Sequence, residues 1–98
     1  MDFKVNTVHF TADQKLVDFI HNKVKKLELM YDHIIASEIY LKLDKNGVKE
    51  NKVAEVKLLL PGNELFAKKQ CKSFEEAADL AVDALKKQVE KHKAKLVS

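Results

Sequence analysis

Ninety-eight residues, 46% of them hydrophobic, with only two glycines and one proline, make one globular domain able to build a core without staples. A single cysteine excludes an internal disulfide and a cysteine-based zinc site, and two glycines exclude the Gly-rich loops that cradle nucleotide phosphates. The net charge is +3, from 18 cations against 15 carboxylates, and every cation is lysine.

The chain opens with a strand over residues 2–8, in which Phe3, Val5 and Thr7 share one face and Lys4 and Asn6 the other. Thr11 and Gln14 have capping-box spacing and predict a helix start there. Leu16, Ile20, Val24, Leu27 and Tyr31 then recur at helical spacing, carrying that helix to Met30 or Tyr31. Glu38–Leu43 alternates as a strand with Ile39, Leu41 and Leu43 inward. A polar loop over 44–51 holds an Asn46-Gly47 turn signal. Lys52–Leu60 is the next strand, with Ala54, Val56, Leu58 and Leu60 inward, and Pro61-Gly62-Asn63 marks a turn. Leu65–Cys71 is the fourth strand, with Leu65, Ala67 and Cys71 inward. Lys69 shares that parity and belongs at a sheet edge, where its stem covers core and its amine reaches water. Ser73 and Glu76 form a second capping box, and Phe74, Ala78, Ala81, Val82, Leu85, Val89 and Leu96 are the stripe of a final helix. The order is β-α-β-β-β-α. One right-handed βαβ crossover and two hairpins predict an α+β two-layer sandwich, a four-stranded mixed sheet with both helices packed on one face.

Catalysis has little to stand on. His9, His21, His33 and His92 are scattered without metal-ligand spacing, and Cys71 falls on the inward parity of a strand, where a thiol is structural. No metal, cofactor or catalytic set is expected. No apolar run approaches the roughly 18 residues of a membrane span, and Met1-Asp2-Phe3-Lys4 does not open a signal peptide. The expectation is a soluble cytoplasmic protein.

The lysines carry more information. Lysine is a compact hydrated point charge that suits phosphates, whereas arginine supplies the fork that reads guanine. Lys87, Lys91 and Lys95 follow one another at i, i+4, a spacing at which like charges repel by about 0.2–0.5 kcal/mol per pair. From Lys86 to Ser98 five lysines stand against Glu90 alone, a net of +4. The first helix adds Lys23, Lys25 and Lys26, with Lys15 on the flank of Lys26. With both helices on one side of the sheet, their outer faces form a surface for a polyanion. The opposite sheet face carries Tyr40, Phe66, Lys42, Lys57 and Lys68, a set able to stack single-stranded bases. Its topology is not that of an RNA-recognition motif, and the face is read as a bystander.

The run Phe19-Ile20-His21-Asn22-Lys23-Val24-Lys25-Lys26-Leu27-Glu28, continued by Tyr31-Asp32-His33-Ile34, resembles the first helix of the ribosome hibernation-promoting factors, the ribosome-associated inhibitor A or sigma-modulation family. The tail Lys87-Gln88-Val89-Glu90-Lys91-His92-Lys93-Ala94-Lys95-Leu96 is similar to the last helix of that family. The resemblance covers essentially the whole chain. It implies a non-enzymatic protein that binds small-subunit rRNA between head and body, overlaps the paths of mRNA and of A- and P-site tRNA, and silences and protects idle ribosomes in stationary phase or stress. Carried over by position, Lys23, Lys26, Lys87, Lys91, His92, Lys93 and Lys95 are the rRNA-binding residues, with Lys25 and Lys86 secondary. Lys87 stands where members often have arginine, and Lys69 and Cys71 where many have small residues. Residues 1–98 resemble the short form, a single ribosome-binding domain without a second dimerisation domain, monomeric off the ribosome. Pairing ribosomes in that form needs a separate factor. A generic RNA-binding or protein-interaction module of similar build is the alternative reading.

Overall fold

The computed structural model describes residues 1–8, 10–44 and 49–95, with the last helix's backbone continuing to Val97. The Asn46-Gly47 turn and the place of Leu96 on its stripe lie outside the described residues. The elements are β1 (Asp2–Val8), α1 (Gln14–Met30), β2 (Ala36–Leu43), β3 (Lys52–Leu60), β4 (Asn63–Cys71) and α2 (Phe74–Val97). The sheet order is β1-β2-β3-β4; β1 pairs parallel to β2, and the other two pairings are antiparallel. This is the expected mixed sheet, with α1 as the crossover between its parallel strands.

Register follows from the period of two. Val5, Ile39, Val56 and Ala67 stand opposite one another across all four strands, on the side the helices cover. Ile20, Val24 and Leu27 of α1 join Ala78, Ala81, Val82, Leu85 and Val89 of α2 in one buried cluster with Ile39, Val56 and Ala67, against which the half-buried Val5 packs. Alanines 77, 78 and 81 are fully buried, and side chains this small let α2 lie close to its neighbours. The Leu60↔Asn63 pair closes over Pro61 and Gly62. Gly62 has φ +72°, the left-handed residue that follows proline in a type II turn. Lys69, on the inward parity, is exposed on β4, the edge strand where it was expected.

Both helices are capped, one differently from expectation. Ser73 accepts the Glu76 amide through Oγ at 3.1 Å, the capping box read from the sequence. On α1 the cap is Asp13, not Thr11: Asp13 is extended (φ −77°, ψ 166°), and its Oδ1 accepts the Leu16 amide at 2.8 Å. An aspartate immediately before the first helical residue satisfies an orphan amide and complements the dipole with a full charge. Gln14 then lies inside the helix, and its side-chain amide donates to Asp18 at 2.8 Å. Val53 also departs from simple alternation. It has the parity of the open sheet face yet is 1% exposed. Its partner across the sheet, Gln70, donates to the Glu50 carbonyl (2.7 Å) and the Asp44 carboxylate (3.3 Å), holding those two residues together at that end of the sheet.

Candidate nucleic-acid interface

α2 is polarised along its length. Glu75 and Glu76 occupy its first turn, where carboxylates suit the positive end of the dipole. Its second half carries the lysines. That half is fastened at three points. The Gln88 side-chain amide donates to the Phe66 carbonyl on edge strand β4 at 2.9 Å. The His92 ring stands edge-on to Tyr31, with centroids 5.4 Å apart. Lys93 Nζ donates to the Met30 carbonyl, the last residue of α1, at 2.8 Å. A cation there suits the negative end of the α1 dipole.

The expected residues fall into separate groups. Lys23, Lys26 and Lys86 line a groove of about 210 Å³ between the helices, floored by Leu27, Met30 and Val82. Asp79 and Asp83 line the same groove, so the basic surface expected to run across the helix pair is interrupted by acid. Lys23 Nζ lies 3.0 Å from Asp79 Oδ1 and 5.5 Å from the centre of the Phe19 ring. Lys91, His92 and Lys95 line a second groove of about 240 Å³, between α2 and β4, with Asn63, Leu65 and Gln88. Lys87 and Lys25 are exposed and line neither groove. Lys93 is exposed along its stem while its amine caps α1. His92 is half-buried against Tyr31, the packed state expected of a histidine bordering the stripe.

Sequence reasoning missed Asp79, Asn63 and Gln88 as groove residues. Along the chain Asp79 reads with Glu75 and Glu76 as complementing the α2 dipole, but it lies beyond the first turn and its carboxylate meets Lys23. Asn63 read as a turn residue and Gln88 as part of the family-like run, and neither pointed to a groove, because that place depends on how β4 and α2 meet.

The open sheet face is electrically balanced. Lys4, Lys42, Lys57 and Lys68 share it with Asp2, Glu38, Glu55 and Glu64, and Glu38 stands between Lys4 and Lys57 in one cross-strand row. Tyr40 donates to Glu38 Oε2 at 2.8 Å; that bond and the Glu38 charge push the phenol pKa above its ordinary value, so it stays a donor. A polyanion gains no net attraction from this face. Burial likewise pushes the Cys71 thiol up, away from the thiolate a nucleophile needs. Among the described residues no group of three or more His, Cys, Asp or Glu is placed to hold a metal ion, and no helix is long and apolar enough to cross a membrane.

Comparison with known proteins agrees with this build. The chain is 30% identical over 95 residues to the ribosome hibernation promoting factor of Pseudomonas putida, covering 97% of this chain and 89% of that protein. It is 28% identical over 96 residues to the ribosome hibernation promotion factor of Bacillus subtilis, covering 98% of this chain but 50% of that protein. Two solved structures share the fold. A ribosomal subunit interface protein from Coxiella burnetii superposes with a TM-score of 0.85 at 20% identity, covering 96% of this chain and 99% of its own. The N-terminal domain of Thermus thermophilus Protein Y gives 0.81 at 24% identity, covering 94% and 99%. A family model matches residues 3–97, nearly the full length, and the chain therefore belongs to the Sigma 54 modulation protein / S30EA ribosomal protein family, whose members are not enzymes.

Proposed function

We propose that this chain is a ribosome hibernation factor of the cytoplasm, acting by occupancy alone. It binds small-subunit rRNA in the decoding groove, excludes mRNA and A- and P-site tRNA, and keeps idle ribosomes silent and protected in stationary phase or stress. The observation that carries this reading is the lysine-rich second half of α2, fastened beside the lysines of α1, on a domain whose other broad face is charge-balanced. The names of its relatives, hibernation factors and a subunit interface protein, support the same reading. Lysine contacts to phosphate release counterions, so log K falls with log salt by about 0.7–0.9 per phosphate neutralised. Specificity then comes from the shape of the rRNA groove and not from base edges, for which no arginine fork is present. Residues 1–98 act as one ribosome-binding unit, monomeric in solution, and pairing ribosomes falls to a separate factor.

A sucrose gradient of this protein with purified ribosomal particles tests the proposal. Migration with the small subunit at moderate salt, loss at high salt and reduced tRNA binding are expected. A protein that stays at the top of the gradient at every salt, or that shifts a free RNA duplex as tightly as it binds subunits, would overturn it. The sheet face gives a companion expectation. Changing Tyr40 and Phe66 together to Ser leaves subunit affinity within about two-fold, since stacking worth about 1–3 kcal/mol per base is not in use. A ten-fold loss would move the interface to the sheet.

A further inference from the structure

The groove between the helices holds a contradiction for a surface that binds phosphate. Three lysines face it, and so do Asp79 and Asp83. Asp79 is not a cap. It lies beyond the first turn of α2, where the dipole has faded, and its carboxylate turns to Lys23 of α1. Lys23 is the least exposed of the expected contact lysines in this groove, held between the Asp79 carboxylate and the Phe19 ring.

Building on the reading of the helix pair as an RNA-binding face, we infer that Asp79 is the affinity-limiting residue of that face: it neutralises Lys23 in the free protein and repels phosphate entering the groove. Both partners are partly exposed, Lys23 at 29% and Asp79 at 44% of their side chains. An ion pair in that setting is marginal. It is firm enough to occupy Lys23 at rest and weak enough for a phosphate to compete for the ammonium. The phosphate that wins still sits beside the displaced carboxylate. Binding is thereby kept loose enough for the mRNA and tRNA it excludes to reverse.

The test is a double-mutant cycle of Asp79→Asn and Lys23→Met, read as affinity and salt slope on two probes, purified small ribosomal subunits and poly(U). Asp79→Asn is expected to tighten binding about five- to ten-fold at low salt and to steepen the salt slope by about 0.7–0.9, one further phosphate. Lys23→Met is expected to weaken binding in the wild-type background, where it leaves the Asp79 carboxylate unpaired against the phosphate, and to remove most of the gain in the Asp79→Asn background. Thermal melting of each variant accompanies the cycle. A purely structural pair would instead make Asp79→Asn less stable and weaker in binding, with no steeper slope, and that result overturns the inference. So does unchanged affinity on both probes. If poly(U) shows the cycle while subunits bind no variant, the inference holds and the ribosomal reading fails. If wild type binds subunits and Asp79→Asn changes nothing, the ribosomal reading holds and the inference fails. No binding of either probe by any variant overturns both.

Discussion

Changing Lys87, Lys91 and Lys95 together to Glu abolishes co-sedimentation with small subunits while leaving the fold intact. The three residues lie one turn apart along the second half of α2, and all are exposed, so no core contact is lost. Their mutual repulsion at i, i+4 is replaced by a repulsion of the same size between glutamates. Carboxylates near a helix C-terminus add a folding cost of about 0.3–1 kcal/mol each at low salt. Binding is affected far more. Three attractive phosphate contacts become three repulsive ones, and the salt slope flattens by about 2–3. A loss of at least ~100-fold at moderate salt is expected, on the order of what several lost phosphate contacts do. Co-sedimentation across a salt series, with circular dichroism of the free variant, measures both. The Arg triple variant is the control. It keeps the charge and is expected to bind at least as well as wild type, because only charge and reach are needed at a phosphate. A folded Glu variant that still pellets with subunits would remove this ridge from the interface.

The strands and stripes were legible because the fold gives each element one face toward a single core. Val5, Ile39 and Val56 alternate with polar neighbours, and that alternation places them under the helices, with Ala67 following from the β4 register. Ile20, Val24 and Leu27 repeat at helical spacing and are buried for the same reason. Periodicity says which side of an element meets the core. It does not say which neighbour stands beside the flank. Lys23, Lys87 and Lys91 look alike along the chain. The fold puts Lys23 against an aspartate on another helix, leaves Lys87 outside both grooves and sets Lys91 above β4. The Gln88 bond to Phe66, the Lys93 bond to Met30 and the Gln70 bond to Glu50 are likewise tertiary, joining residues 22, 63 and 20 positions apart. The shift of the α1 cap from Thr11 to Asp13 is local: Asp13 is also a competent capping residue, carries a full charge and stands immediately before the helix.

Leu85→Ala tests whether α2 holds its lysines by packing alone. Leu85 is fully buried at the junction between the alanine-rich and lysine-rich halves of the helix. Truncating such a leucine costs about 2–5 kcal/mol, the lost transfer energy plus the cavity left behind. A domain of this size has about 5–15 kcal/mol in total, and each kcal/mol moves Tm by about 4–8 °C. A fall in Tm of roughly 10 °C or more is therefore expected. Its effect on binding separates position from charge, because the substitution removes no cation. Well below its own Tm the variant is expected to bind subunits within about two-fold of wild type, the bonds from Gln88 and Lys93 still fastening the helix end. At a temperature between the two midpoints it loses binding while wild type retains it, and the loss tracks the unfolding curve. Calorimetry and co-sedimentation at matched temperatures measure the two effects. A Tm within ~2 °C of wild type would mean that Leu85 does not seat α2 on the sheet. A stable variant that nevertheless fails to bind would mean that the lysines require a helix position the packing described does not enforce.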